Sequence, residues 1–155
     1  MDEPLFRAHG RQVAALCWRM AGPSGIEVLL ITSLNSRRWI LPKGWVEADL
    51  TPSQSAAREA FEEAGITGKI DAEPVGNFYY LKEKKDGSGI PCRVDVFALS
   101  VTDQLDAWPE KGARSLLWLS PEKAAAKVAE PGLRHLLKSF RVQNFSARRR
   151  GTATL

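Results

Sequence analysis

The stretch REAFEEAG, residues 58–65, places Glu59, Glu62 and Glu63 within five positions of a segment with helical periodicity. The helix is signalled at both ends. Thr51-Pro52-Ser53-Gln54 offers a threonine N-cap, a proline at the first helical position and a glutamine placed to close a capping box, and Gly65 supplies the stop. At about 100° per residue the three glutamates fall within roughly a third of the circumference, while Ala57, Ala60, Phe61 and Ala64 gather opposite them. The expectation is one packing face and one acidic face.

Like charges at this spacing cost a few tenths of a kcal/mol per pair on an exposed helix, and more in a cleft that holds little water. Arg58, one turn before Glu62, neutralises part of the charge and leaves two carboxylates uncompensated. Such a face is either a solvated helix surface or a set of oxygen ligands for a hard cation such as Mg²⁺ or Mn²⁺.

The segment upstream, RRWILPKGWVEADL at 37–50, favours the second reading. An apolar run, Trp39-Ile40-Leu41, ends in Pro42-Lys43-Gly44, where glycine permits a sharp turn and close approach of the backbone to a ligand. Thirteen residues separate Gly44 from Arg58-Glu59-Ala60-x-Glu62-Glu63-x-Gly65-Ile66. This pattern resembles the box of the Nudix hydrolases, a Gly followed at fixed spacing by Arg-Glu-aliphatic-x-Glu-Glu-x-Gly-aliphatic. One position departs from it: the box usually has a Glu six residues after its first Gly, and here Leu50 stands there, with Glu47 and Asp49 in the same loop.

The resemblance implies an α+β fold, an α/β/α sandwich around a mixed sheet, and divalent-metal-dependent hydrolysis of a pyrophosphate bond in a nucleoside diphosphate derivative or polyphosphate. It implies Glu59, Glu62, Glu63 and the main-chain carbonyl of Lys43 as ligands for Mg²⁺ or Mn²⁺. Glu59, Arg58 and Glu62 are the catalytic candidates, Glu59 for activating or positioning water and Arg58 for orienting a glutamate by a charge-assisted hydrogen bond. Carboxylates on a rigid helix would neutralise charge on the diphosphate oxygens, which accounts for their crowding. Glu47 and Glu110, the latter in AWPEKG, are candidate extra carboxylates, although a loop glutamate is also read simply as solvated.

For substrate binding the candidates are Gly44, Lys43, Arg38, Trp45, Lys82 and Arg93, with Arg37, Lys84 and Lys85 extending a cationic rim. Arg93 alternates with Val94 and Val96 and is open to either side of its strand; the hairpin lysines read equally as solubilising charge. WILPKGWVE, the run Lys82-Lys84-Lys85 and DAWPEKGARSLLWLSPEKA resemble the branch of the family that includes diphosphoinositol polyphosphate and dinucleoside polyphosphate hydrolases. Trp18 and Trp118 sit in apolar strands and are expected in the core; Trp39 is expected to pack, Trp45 to line the pocket, and Trp108 falls in a loop. His9 and His135 are too isolated to suggest zinc.

Strands are expected over 11–20, 26–33, 75–85, 90–101 and 113–120, helices over 121–128 and 131–145, and a hairpin turn at Asp86-Gly87-Ser88-Gly89. The 155 residues fit a single domain, 1–145, followed by a basic tail, 146–155. No run is long and apolar enough to span a membrane, no signal peptide is recognisable in MDEPLFRAHG, and a cytoplasmic protein, monomer or homodimer, is expected, with Cys17 and Cys92 reduced. The net charge of +4 and the consecutive Arg148, Arg149 and Arg150 raise a different class of function, a nucleotide- or RNA-binding module on the same scaffold, or a hydrolase acting on RNA 5′ ends. The intact glutamate triad favours a phosphorylated small-molecule substrate.

Overall fold

The computed structural model describes residues 11–23 and 25–141; His9 and the basic tail, with its three arginines, lie outside the described residues. The order of elements is β1 (Arg11–Met20), β2 (Ile26–Thr32), β3 (Trp39–Ile40), β4 (Lys43–Trp45), α1 (Pro52–Ala64), β5 (Ile66–Ile70), β6 (Gly76–Glu83), β7 (Gly89–Gln104), β8 (Leu116–Leu119), α2 (Pro121–Lys127) and α3 (Pro131–Ser139).

All of these strands join one mixed sheet. β1 is central and reads as an uninterrupted apolar run because both of its faces are covered. Val13, Ala15 and Cys17 face α1, whereas Ala14, Leu16 and Trp18 join the core beneath α2 and α3. Leu133, Leu136 and Leu137 close that second core, and each fully buried side chain of this size contributes about 1.5–3 kcal/mol. A helix on one face and two on the other make an α/β/α sandwich of α+β type.

The sheet opens where the site forms. β1 runs parallel to β7, with Gln12 beside Val94, and is antiparallel to β2 at Trp18, Arg19 and Met20. The two strands then part. β3 pairs with the far end of β2, where Ile40 faces Ile31, and β4 pairs with the start of β1, where Gly44 faces Val13. The short segment 39–45 therefore fills the gap between diverging central strands, tied by Pro42, whose carbonyl accepts the Ala15 amide at 3.0 Å.

Three expectations are corrected. The last helix ends at Ser139, with Phe140 already extended at φ −69° and ψ 129°, so it does not reach 145. β4 and β5 went unforeseen, each too short to show alternation. α1 does not separate into packing and acidic faces as drawn: Phe61 is 37% exposed and Glu63 is only 6% exposed. The packing stripe runs instead through Ala56, Ala60, Glu63 and Ala64. Cys17 and Cys92 are both buried, and neither is in a disulfide. Among the described residues no helix is long and apolar enough to cross a membrane.

Candidate active site

α1 is held at both ends by the chemistry its sequence announces. Thr51 Oγ1 accepts the Gln54 amide at 3.2 Å and Gln54 Oε1 accepts the Thr51 amide at 2.9 Å. Gly65 closes the helix in the left-handed region, φ 69°. Fully buried Ala56, Ala60 and Ala64, one turn apart, seat the helix against the sheet and carry Glu63 and Glu59 to the gap between β1 and β2.

Glu63 Oε1 accepts the main-chain amide of Lys43 at 3.2 Å, and its Oε2 lies 3.5 Å from Arg114 Nη2. Burial pushes the Glu63 carboxyl up to about 8, with Arg114 opposing and the adjoining Glu59 adding to the rise. Glu59 is also raised, first by burial and then by the charges of Glu62, Glu47 and Glu110, while its hydrogen bond with Glu63 acts the other way. Burial and the neighbouring carboxyl both favour the protonated form of Glu63, and Arg114 offsets only part of that push. Gly44 makes room for Glu59: a β-carbon there would lie 2.4 Å from Glu59 Oε2.

The third glutamate faces outward. Arg58 Nε lies 3.5 Å from Glu62 Oε2, and Arg58 Nη1 donates to Glu47 Oε2 at 3.2 Å, so Arg58 bridges the two carboxylates along the exposed side of the helix. Leu50 is turned away and lines an apolar groove with Ala57, Phe61 and Leu99. Glu110 is brought in from far along the chain. Its amide donates to the Glu62 carbonyl at 3.0 Å, and its carboxylate accepts Arg114 Nε at 3.0 Å.

Beyond the paired carboxylates runs a cleft of about 680 Å³, lined in part by Lys43, Gly44, Arg38, Trp45 and Lys82. Lys43 Nζ donates to Tyr80 Oη at 3.2 Å, and Tyr80 Oη donates to Gln12 Oε1 at 2.7 Å. Burial lowers the Lys43 pKa against the pull of Glu63, and Lys82 lowers it further. Arg38 is 3.3 Å from buried Glu130. Trp45, 46% exposed, stands at the mouth.

Arg93 is not among the cleft-lining residues; its Nε donates to Asp95 Oδ1 at 3.1 Å, and Arg11 shares that aspartate. Arg37 bonds the Ala113 carbonyl at 3.3 Å, and Lys84 and Lys85 sit exposed by the hairpin turn. Trp18 is buried and Trp39 packs against the core, whereas Trp118 is half-buried beneath the Arg19 guanidinium, 3.9 Å away. Trp108 covers Gly65.

Gln12, Tyr80 and Arg114 escaped the sequence reading. Only Arg114 left a signal, its spacing of four residues from Glu110 in PEKGAR. Among the described residues no three His, Cys, Asp or Glu side chains form a ready cage for a metal ion. Mg²⁺ rarely uses one, keeping several waters and taking one or two carboxylates together with substrate phosphates. Glu59 and Glu63, two neighbouring carboxyls lining one cleft, fit that mode of binding.

The NUDIX domain family model matches residues 9–140 of the chain. Nudix hydrolase 12, mitochondrial, of Arabidopsis thaliana is 33% identical over 118 residues, which cover 74% of this chain and 58% of that protein. Diphosphoinositol polyphosphate phosphohydrolase 3-beta of Bos taurus is 35% identical over 117 residues, 74% of this chain and 66% of that protein. The matched region thus spans about three-fifths to two-thirds of the length of these relatives. A crystal structure of the C. elegans Ap4A hydrolase binary complex superposes with a TM-score of 0.61 at 25% identity, covering 92% of this chain and 98% of that one.

Proposed function

The chain belongs to the Nudix family, and on that premise we propose that it hydrolyses a pyrophosphate bond in a phosphorylated small molecule with the help of Mg²⁺ or Mn²⁺. The observation that carries this reading is the pair of half-buried Glu59 and buried Glu63, facing Gly44 and the Lys43 amide at the head of the cationic cleft.

In this reading Glu59 and Glu63 would hold the cation in their ionised form, with Glu62 and the Lys43 carbonyl as further ligands. When bound, the metal supplies charge neutralisation of the diphosphate and activation of water. Glu59, already raised by burial, takes the proton of the attacking water at its carboxylate. Glu110 adds a carboxylate opposite, and Arg58 keeps Glu62 oriented. Lys43, tethered by Tyr80, binds phosphate oxygens that do not react, and Lys82 and Arg38 extend that contact. Trp45 at the mouth offers a face to the remainder of the substrate.

The substrate class follows the relatives whose names specify one: a dinucleoside polyphosphate or a diphosphoinositol polyphosphate. The deciding experiment measures phosphate or nucleotide release from both, alongside nucleotide sugars, nucleoside triphosphates and 5′-triphosphorylated RNA, with Mg²⁺ or Mn²⁺ and a Glu63→Gln control. Metal-dependent turnover lost in the control supports a hydrolase. Ligand binding without turnover across the panel overturns it in favour of a binding protein.

A further inference from the structure

Arg114 is buried, its side chain 8% exposed, yet its three guanidinium nitrogens serve three different elements. Nη1 donates to the Thr32 carbonyl at the end of β2, at 3.0 Å. Nε donates to Glu110 Oε1 in the 105–115 loop, at 3.0 Å. Nη2 lies 3.5 Å from Glu63 Oε2 on α1.

The root of this side chain is fixed independently of the carboxylates. The Thr32 amide donates to the Ser115 carbonyl at 3.1 Å, and the Ser115 amide donates to Thr32 Oγ1 at 2.9 Å. These bonds sew the segment beside Arg114 to β2. The guanidinium therefore projects from a rigid base, and the two glutamates are placed relative to it.

We propose that Arg114 is a positioning residue that sets the spacing of Glu63 and Glu110 at the cation-binding end of the cleft. This inference rests on the reading of that end as a divalent-metal site. The diverging N–H groups of one planar guanidinium can hold two carboxylates and a carbonyl at once, whereas a lysine ammonium in the same place keeps the charge and loses the fixed directions. Groups that orient metal ligands without touching the metal typically govern affinity by about 10–100-fold.

The test is Mn²⁺ binding to the full chain, followed by the electron spin resonance of free Mn²⁺, for the wild type, Arg114→Lys, Arg114→Met, Glu110→Gln and Arg114→Met combined with Glu110→Gln. Circular dichroism establishes which variants fold, and KM and kcat are measured on the best substrate of the panel above. The expected result is weaker Mn²⁺ binding in Arg114→Lys by about 10–100-fold, a lower kcat with KM little changed, and a smaller effect of Glu110→Gln in the Arg114→Met background than in the wild type. If Arg114→Met does not fold, Arg114→Lys alone decides. Wild-type Mn²⁺ affinity and kcat in a folded Arg114→Lys, or an unchanged effect of Glu110→Gln in a folded Arg114→Met, overturns the positioning role and leaves the metal site standing. A wild-type protein that binds no Mn²⁺ overturns both.

Discussion

The carboxylate of Glu59 occupies the space that a side chain on Gly44 would need: a β-carbon at position 44 would sit 2.4 Å from Glu59 Oε2 and 2.5 Å from its Cδ. The obstructing atoms are the end of a flexible side chain rather than backbone, so the clash is relieved by moving Glu59, and the fold itself is spared. Gly44→Ala is therefore expected to shift the melting temperature by only a few degrees while lowering kcat by about 10²-fold, the scale of loss when a reacting group is misplaced by an ångström. Thermal melts and steady-state kinetics on the same preparation check it. A large stability loss with unchanged turnover per folded molecule would refute it.

Glu63 is expected to give the metal-free protein a stability that falls as pH rises. Its pKa rises from an ordinary 4.5 to about 8 on folding, so between these values the native state holds more protons than the unfolded chain. The stability from the protonated form is fully present below about 4.5 and is lost as pH rises to about 8. Chemical denaturation in chelator is expected to show this decline, and Glu63→Gln, which stays neutral, to flatten it. Added Mg²⁺ competes with the same proton and is expected to bind more tightly as pH rises toward about 8.

Lys43 and Tyr80 are expected to separate binding from chemistry. Loss of the half-buried ammonium in Lys43→Met removes contact with phosphates that do not react, so KM should rise about 10–100-fold with kcat little altered. Tyr80→Phe removes only the hydroxyl tether between Lys43 and Gln12, and a rise of several fold is expected. Initial-rate kinetics over a wide substrate range distinguish this from a change confined to kcat.

Arg58 is bonded to Glu47 at 3.2 Å, a partner from the loop in which Leu50 stands at the departing box position. The pair is exposed, so Glu47→Ala should cost at most about 1 kcal/mol of stability while lowering kcat several-fold through a mobile Arg58. Leu50→Glu places a carboxylate in the groove that Arg58 also lines, and in the Glu47→Ala background it is expected to restore part of the lost rate. Failure of any rescue, measured as kcat of the double variant against the single one, counts against this account of the altered box.

Gly65 combines a left-handed backbone, φ 69°, with the Trp108 ring lying 2.3 Å from where a β-carbon would be. Left-handed geometry costs a non-glycine residue roughly 1–2 kcal/mol, and Trp108 belongs to the loop that delivers Glu110. Gly65→Ala is expected to lower the melting temperature by about 4 °C or more and to lower kcat as well, since displacing Trp108 disturbs Glu110. A melt and a rate measured together test both effects.

Much of this was legible before any tertiary structure. Thr51, Pro52, Gln54 and Gly65 define α1 through contacts within one turn, and the continuous apolar runs of β1 and β2 declare strands buried on both faces. The glutamate spacing pointed to metal chemistry for the same reason, because residues three and four apart share a helix face whatever surrounds it. The assignment of that face went astray at Phe61 and Glu63. Periodicity gives the angle between side chains and says nothing of how the helix is rolled against the sheet, and three alanines permit a close seat that buries the adjoining carboxylate.

Sequence by itself thus determined the longer strands, α1 with its caps and the set of acidic residues on that helix, all of which depend on interactions between near neighbours in the chain. Tertiary structure decided which carboxylates pair and what surrounds them. Lys43 meets Glu63 across 20 residues, Lys43 meets Tyr80 across 37, and Tyr80 meets Gln12 across 68. Those encounters are set by the divergence of β1 and β2 and by the docking of the Glu110 loop on α1. Such contacts form only when the whole sheet closes around its two cores, so no local pattern records them.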